Sequence, residues 1–157
     1  MSLDFEKYAA KGNEFVHLVA DELLVPSDKA GRIIRAVLHA LRNRLNHEES
    51  FQLLGQLPMA LKGVYADGWK FERKYNRISK LNNFLDEIRQ EDGGLANYDF
   101  GNNTKAKLAA SAVFKALNHY VSEGEMNDIT GVMPAELKKF IKESIAGNEA
   151  VCIKATN

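Results

Sequence analysis

The sequence predicts an all-α fold: a helical bundle built from two tandem repeats of three to four helices each, related by a pseudo-twofold axis. Three observations predict it. Apolar residues recur at helical spacing along most of the chain. The composition, 45% hydrophobic and 27% charged, is that of a globular domain. The chain also aligns with itself after a shift of 76 residues.

The internal repeat is the most informative of these observations. Residues 29–65 align with residues 105–141 without a gap, and 11 of the 37 aligned pairs are identical. A shared glycine and the shared prolines Pro58 and Pro134 mark breaks of the backbone, not only a helical period. A duplicated structural unit explains both kinds of match.

A single unit has a small core that is marginal by itself, so the two units are expected to form one helical domain over residues 1–157. The predicted division is unit one at about 1–68, a linker at about 69–77, unit two at about 78–145 and a tail at 146–157.

Unit one begins with a helix predicted from Phe5 to about Leu24, in which Gly12 is a candidate interruption. A second helix is predicted from about Asp28 to Leu45, because its apolar residues follow the i, i+3, i+4, i+7 stripe of a core-facing helix. That stripe consists of Ile33, Ile34, Val37, Leu38, Leu41 and Leu45.

A capping box predicts the start of the next helix in both units. In this motif the Asn46 side chain accepts a hydrogen bond from a helical N–H, and the Glu49 side chain reaches back to the N–H of Asn46. Ser122 and Glu125 repeat the motif 76 residues later. Its presence at matching positions supports a helix start at each.

Proline breaks and loops complete the predicted architecture. Proline is tolerated at the first position of a helix, so new helices are expected at Pro58 and Pro134. A helix from about 79 to 90 is expected to open unit two, and residues 91–103, rich in Gly, Asp and Asn, to form a loop. The end of the chain is expected to be frayed, with residues 150–153 as a short extended piece.

Charge and cysteine content narrow the class of protein. Lys+Arg and Asp+Glu both number 21, and this zero net charge argues against a strongly basic DNA-binding protein. The single cysteine, Cys152, allows no intrachain disulfide. The N-terminal residues lack the apolar region of a signal peptide, and no apolar run reaches the length of a membrane span. A cytoplasmic location without a membrane partner is therefore expected.

The second helix carries a basic face as the first candidate site. Its residues are Arg32, Arg35, His39 and Arg42. The residues 76 positions later are Leu108, Ser111, Lys115 and Asn118. The shared fold therefore does not require the charge. One interpretation is a site for an anionic ligand, an acidic partner or nucleic acid. The other, which we favour, is a solvated face paired with acidic residues such as Asp21, Glu22 or Glu48.

The linker, which mixes aromatic and basic residues, is the second candidate site. Trp69 and Tyr75 are its candidate binding residues. Stacking combined with positive charge is how single-stranded nucleic acids are held. The same composition suits a segment that packs over the seam between two helical units, with Trp69 and Phe71 as anchors. The zero net charge favours this packing interpretation.

No catalytic, metal or cofactor site is predicted. The histidines form no H-x-x-x-H or H-E-x-x-H pair, and His17 with Asp21 and nearby Glu14 is more typical of an exposed i, i+4 pair than of a metal site. Cys152 has no neighbouring cysteine or histidine that would make it a nucleophile. The G-x-S-x-G motif and the phosphate-binding glycine pattern are both missing.

One stretch of the sequence resembles a known family. Residues 30–45 read AGRIIRAVLHALRNRL, and residues 47–69 read HEESFQLLGQLPMALKGVYADGW. This pattern resembles the bacterial family catalogued as domain of unknown function 2267, closely over residues 30–69 and more weakly through the second half. The resemblance implies an all-helical fold and a cytoplasmic bacterial protein, and it brings no catalytic residues.

These features favour a non-catalytic binding or protein-interaction module that binds another protein or a second copy of itself. The first alternative is an enzyme with an unrecognised site, for instance His39 beside a buried carboxylate. The second is a nucleic-acid-binding protein that uses the basic linker, whose affinity would fall steeply with salt.

Overall fold

The computed structural model describes the backbone of residues 3–156 and the side chains of residues 3–147. The helices are α1 Phe5–Leu23, α2 Ser27–Arg44, α3 His47–Gln56, α4 Met59–Ala66, α5 Leu81–Asp92, α6 Ala96–Phe100, α7 Asn103–Tyr120, α8 Glu123–Gly131 and α9 Ala135–Thr156. No strand occurs within residues 3–156, so the predicted all-α class is confirmed. None of these helices combines the length and the apolar character that crossing a membrane needs.

Helices α2 and α7 form the centre of the bundle. Helix α2 packs against α1, α4, α5 and α7, and α7 packs against α1, α5, α6 and α9 as well. Both helices are therefore buried over more of their circumference than a surface helix would be. The apolar stripe predicted on α2 is buried, with Val37, Leu38 and Leu41 fully inaccessible to solvent.

Gly12 does not interrupt α1, which is continuous from Phe5 to Leu23. A Cβ atom on this glycine would lie 2.8 Å from the Cβ of Ala60, closer than two carbon atoms can pack. The missing side chain therefore allows α1 and α4 to touch. Leu24 then ends the helix in the left-handed region, with φ of 56°.

The two prolines begin new helices, as the sequence predicts. Pro58 is the residue immediately before α4, and Pro134 immediately precedes α9. Each lies one position outside the helix rather than at its first residue. In both positions the missing N–H of proline removes no intrahelical hydrogen bond.

The loop expected at residues 91–103 is wrong for most of its length. Helix α5 runs on to Asp92, a 3₁₀ turn covers 93–95, and α6 follows. Gly93 and Gly101, with φ of 69° and 55°, end α5 and α6. Phe100 is fully buried, so the segment is held by the core in spite of its polar composition.

The extended piece expected at residues 150–153 is also wrong, because α9 continues as a helix to Thr156. After Pro134 the chain has no further proline to stop it. The side chain of Cys152 lies outside the part of the chain whose side chains the structure describes.

Candidate functional site

Arg32, the first residue of the predicted basic face, binds carboxylates of its own chain. Its Nε and Nη2 donate to the two carboxylate oxygens of Asp99, each at 2.9 Å. Asp28 lies 3.6 Å from Nη1. The Asp99 side chain is completely buried. The hydrogen bond with Asp99 raises the pKa of Arg32, and this two-pronged ion pair fixes α2 to α6.

His39 and Arg42 lie one turn apart on α2 and reach the end of α4. The Nε2–H of His39 donates to the carbonyl oxygen of Val64 at 2.7 Å. Arg42 donates through Nη1 to the carbonyl oxygens of Tyr65 at 2.7 Å and of Asp67 at 3.0 Å. Both side chains are buried, and burial lowers the pKa of His39 below its ordinary 6.5.

These contacts complete the hydrogen bonding of the C-terminus of α4. A helix leaves its last four carbonyl groups without intrahelical partners. Here Gly63 and Ala66 accept from the backbone N–H groups of Asp67 and Trp69, while Val64 and Tyr65 accept from α2. His39 and Arg42 therefore serve as the cap of α4.

The second half of the chain has no such helix end, which accounts for the missing charges. The residue 76 positions after Ala66 is Lys142, in the interior of α9, which runs on to Thr156. The carbonyl groups of α9 at that point accept from N–H groups of the same helix, so they need no side-chain donor. Lys115 and Asn118 stand where His39 and Arg42 would be, and Lys115 binds Glu22 at 2.6 Å instead.

Arg35 is the one exposed member of the basic face, and its guanidinium pairs with Asp67 at 2.7 Å. The partners suggested from the sequence, Asp21, Glu22 and Glu48, form none of the ion pairs seen for this face in residues 3–147. The basic face therefore does not project as a free cationic strip. The contacts of Arg32, His39 and Arg42 are internal. His39 and Arg42 are buried, so the solvated face favoured from the sequence is wrong for them. The Arg32 side chain is 29% exposed, and Arg35 is the most exposed of the four.

The linker brings its aromatic residues onto α3. The ring of Phe71 stacks on His47 with centroids 3.6 Å apart, and Trp69 lies 5.7 Å from Phe51 and 5.5 Å from Phe71. Beneath them, Trp69 meets the buried ring of Tyr65 edge-on at 5.9 Å. We call His47, Phe51, Trp69 and Phe71 the aromatic surface.

Trp69 is partly buried, but Phe51 is 53% exposed and Phe71 is 45% exposed. The ring contacts of Trp69 and Phe71 are with α3 and α4, both in the first half of the chain, so they do not show the predicted packing over a seam between two units. Part of this cluster of rings also stays open to solvent. Tyr75 lies apart from this surface. Its ring sits under the guanidinium groups of Arg44 and Arg73 at 5.9 and 4.9 Å.

A second feature, missed in the sequence, lies where α3 meets α8. Only one of the two hydrogen bonds of each predicted capping box forms. Asn46 Oδ1 accepts from the Glu49 N–H at 2.8 Å, and Ser122 Oγ accepts from the Glu125 N–H at 3.2 Å. Neither glutamate carboxylate makes the reciprocal bond. Instead, carboxylate oxygens of Glu49, Glu125 and Asp128 lie within 4.8 Å of one another. We call these three residues the carboxylate cluster.

The carboxylate cluster is electrostatically unbalanced. Glu125 is only 5% exposed, and its Oε1 and the Oε2 of Glu49 are buried without a hydrogen-bond partner. Burial raises the pKa of Glu125, and the negative charges of Glu49 and Asp128 raise it further. The sequence signal was the identity of Glu49 and Glu125 at matching positions, which the capping motif had already explained.

Comparison with known proteins adds the family. A search of curated proteins finds no match. The model of the family described as "Uncharacterized conserved protein (DUF2267)" matches residues 12–140, which is most of the chain, and this confirms the resemblance seen in residues 30–69. The chain therefore belongs to the DUF2267 family of uncharacterised conserved proteins.

Proposed function

We propose that the protein is a non-catalytic protein-interaction module and that its docking surface is the aromatic surface of α3 and the linker. The observation that carries the proposal is the pair of half-exposed rings, Phe51 and Phe71, held side by side over Trp69. Large exposed apolar groups that adjoin one another are typical of docking sites, whereas single exposed apolar residues are ordinary. Aromatic residues, phenylalanine included, are also enriched in the cores of protein interfaces.

The charge around this surface indicates the partner. Lys70 lies between Trp69 and Phe71, and Arg73 and Lys74 follow Phe71 by two and three residues; all three are exposed. Glu72 is the one acidic residue between them. A partner segment with aromatic or aliphatic anchors and flanking Asp or Glu would match both features. The partner is therefore an acidic protein segment with apolar anchors, and it would bind a preformed surface at little cost in ordering.

The experiment is a selection of random peptides displayed on phage against the purified full-length protein. We expect the enriched peptides to combine aromatic or leucine anchors with acidic residues. Because Trp69 is the single tryptophan of the chain, its fluorescence reports binding of a synthetic peptide directly. Raising the salt concentration should weaken binding through the lost charge attraction.

Two variants distinguish specific binding at the aromatic surface from nonspecific binding to exposed apolar residues. Phe51→Ser should lower the affinity for the selected peptide at least about tenfold, as the loss of an interaction hot spot does. Leu108→Ser is the matched control, since Leu108 is 60% exposed on α7. Equal affinity of both variants would overturn the proposal. A concentration-dependent dimer abolished by Phe51→Ser would assign the surface to a second copy of the chain instead.

The division into two related units also stands as a proposal. It is supported by the helix starts, since α1 and α5, α2 and α7, α3 and α8, and α4 and α9 begin at residues 5 and 81, 27 and 103, 47 and 123, and 59 and 135. It is supported by the packing as well. Contacts of α1 with α2, α7 and α4 have counterparts in contacts of α5 with α7, α2 and α9.

An experimental structure tests the division. The backbone of residues 27–66 should overlay on residues 103–142 after a rotation of close to half a turn, with residues 69–77 as the connection. Halves that do not overlay would contradict the duplication. The cytoplasmic location and the bacterial origin stay predictions.

A further inference from the structure

We propose that the carboxylate cluster of Glu49, Glu125 and Asp128 binds a hard divalent cation between α3 and α8. The inference is independent of the aromatic surface. It starts from buried carboxylate oxygens that have no partner among the described side chains. Two carboxylate oxygens, Glu49 Oε2 and Glu125 Oε1, are buried and accept no hydrogen bond. Such groups carry a desolvation cost without compensation.

Among the side chains that the structure describes, no cation neutralises these charges. Within residues 3–147, no Lys, Arg or His forms an ion pair with any member of the carboxylate cluster. Glu49 and Glu125 lie in the first turns of α3 and α8, where the helix dipole favours negative charge. That attraction acts on each glutamate separately and does not remove the repulsion between them. A bound dication removes it directly.

The ligand set identifies the kind of cation. All three groups offer carboxylate oxygen, and neither histidine nor cysteine takes part, which favours Ca²⁺, Mg²⁺ or Mn²⁺ over zinc or copper. Two oxygens bound to one Ca²⁺ lie at most about 5 Å apart, given metal–oxygen distances of about 2.3–2.6 Å. The three oxygens lie within 4.8 Å of one another, inside that limit. Mg²⁺ demands near-ideal octahedral geometry and keeps several of its waters, so three carboxylates from two helices suit Ca²⁺ better.

The surroundings suit such an ion. Glu125 lies inside, Glu49 is half-buried and Asp128 is exposed, so the cluster opens to solvent on one side. Water can fill the remaining coordination positions from that side. Glu49 belongs to α3 and Glu125 to α8, which are in contact and are further joined by the bond from the Ser122 N–H to Gln56 Oε1 at 2.7 Å. The ion would therefore clamp α3 to α8.

The test uses full-length protein stripped with EDTA and titrated separately with CaCl₂, MgCl₂ and MnCl₂ by calorimetry and thermal unfolding. At a tenfold excess over Kd, the wild type should melt about 3–5 °C higher than in EDTA. Ca²⁺ should bind more tightly than Mg²⁺. Glu123→Gln, a change of an exposed acid in the first turn of α8, should keep the full response.

Glu125→Gln is the critical variant. It should lose at least about tenfold in cation affinity, as expected when a charged ligand is removed, yet melt above the wild type in EDTA because the repulsion is gone. This rise shows that the variant is folded. The same cation response in Glu125→Gln as in wild type would overturn the proposal. So would a wild type that takes up none of the three ions at millimolar concentration, in which case the glutamates share a proton instead.

Discussion

Charged side chains meet opposite situations in two regions of this molecule. Around α2, the carboxylate of Asp99 is buried against Arg32, and the buried His39 and Arg42 donate to carbonyl groups of α4 and the residues after it. At the contact of α3 with α8, one carboxylate oxygen of Glu49 and one of Glu125 are buried without a hydrogen-bond partner, and carboxylate oxygens of the two residues lie within 4.8 Å of each other. A charge that is answered inside the chain serves the fold. The carboxylate oxygens without partners are the basis of the proposed cation site.

The structure also reverses the ranking of candidate binding sites that the sequence suggests. The basic face of α2 is the more conspicuous pattern in the sequence, yet most of it holds helices together. Arg42 retains one unpartnered atom, Nε, but its Nη1 makes two bonds to backbone oxygens. The glutamates are unremarkable as a helix-start motif. Only their approach across two helices makes them a candidate site.

Arg42→Met should give the largest loss of stability. It tests whether a buried charge that is hydrogen-bonded within the chain stabilises the fold. The carbonyl oxygens of Tyr65 and Asp67 would lose their donor. We expect unfolding in urea, followed by circular dichroism, to show a loss of about 3 kcal/mol. The control is Arg35→Met, which breaks an exposed ion pair and should change stability little. Equal losses in the two variants would contradict the capping role.

Tyr65→Phe tests a buried hydrogen bond between two uncharged side chains in the same region. The hydroxyls of Tyr65 and Ser50 are buried and hydrogen-bonded at 2.7 Å. Burial raises the pKa of Tyr65 to about 12, so the hydroxyl stays protonated. Removing it should cost about 1–2 kcal/mol. The double variant Tyr65→Phe with Ser50→Ala should recover part of that loss, because no polar group is then left unpaired. A double variant less stable than the single one would argue against this pair.

Glu125→Gln should have the opposite sign in the absence of divalent ions. Replacing the charge is expected to raise the free energy of unfolding by about 1 kcal/mol at pH 8. The folded-state pKa of Glu125 is raised above 4.5, so the wild type gains stability as the pH falls through that raised pKa. The advantage of the variant should therefore shrink towards pH 4.5. An advantage that is constant from pH 8 to pH 4.5 would mean that Glu125 is not the group responsible.

His39→Gln gives the smallest effect and sharpens the comparison through its pH dependence. Burial and then the nearby positive charge of Arg42 lower the pKa of His39 in the folded state. Neutral His39 thus contributes stability above pH 6.5 that is lost as the pH falls through the lowered pKa. The wild type should lose no more than about 1 kcal/mol relative to the glutamine variant between pH 7.5 and pH 5. Parallel pH curves of stability would contradict a buried, neutral His39.

Much of the helical architecture was predictable because its signals are local. The period of apolar residues placed α2 and its buried face within a residue of the observed bounds. Pro58 and Pro134 placed the starts of α4 and α9. Helix α6 escaped prediction because its five residues, Ala96–Phe100, are too few to show a helical period. Their helical state depends on Phe100 entering a core made by other segments.

The candidate sites were harder to predict because they depend on distant pairs. Asn46 and Glu49 were correctly identified as a helix start, and the first of the two capping bonds forms. The second does not form, and the Glu49 carboxylate lies instead beside those of Glu125 and Asp128, which belong to another helix. The aromatic surface was anticipated as packing through Trp69 and Phe71. The exposure of its outer rings depends on the orientation of α3, which no local sequence pattern predicts.

The sequence by itself determined the helical class, the starts of most helices and the matching positions in the two halves. Periods, caps and proline breaks act over four or five residues, so they can be read without coordinates. The tertiary structure alone decided what each charge meets. Arg32 finds Asp99 across 67 residues, and Glu49 finds Glu125 across the contact of α3 with α8. Burial and pairing of charges depend on distances in space, which only the packed bundle fixes.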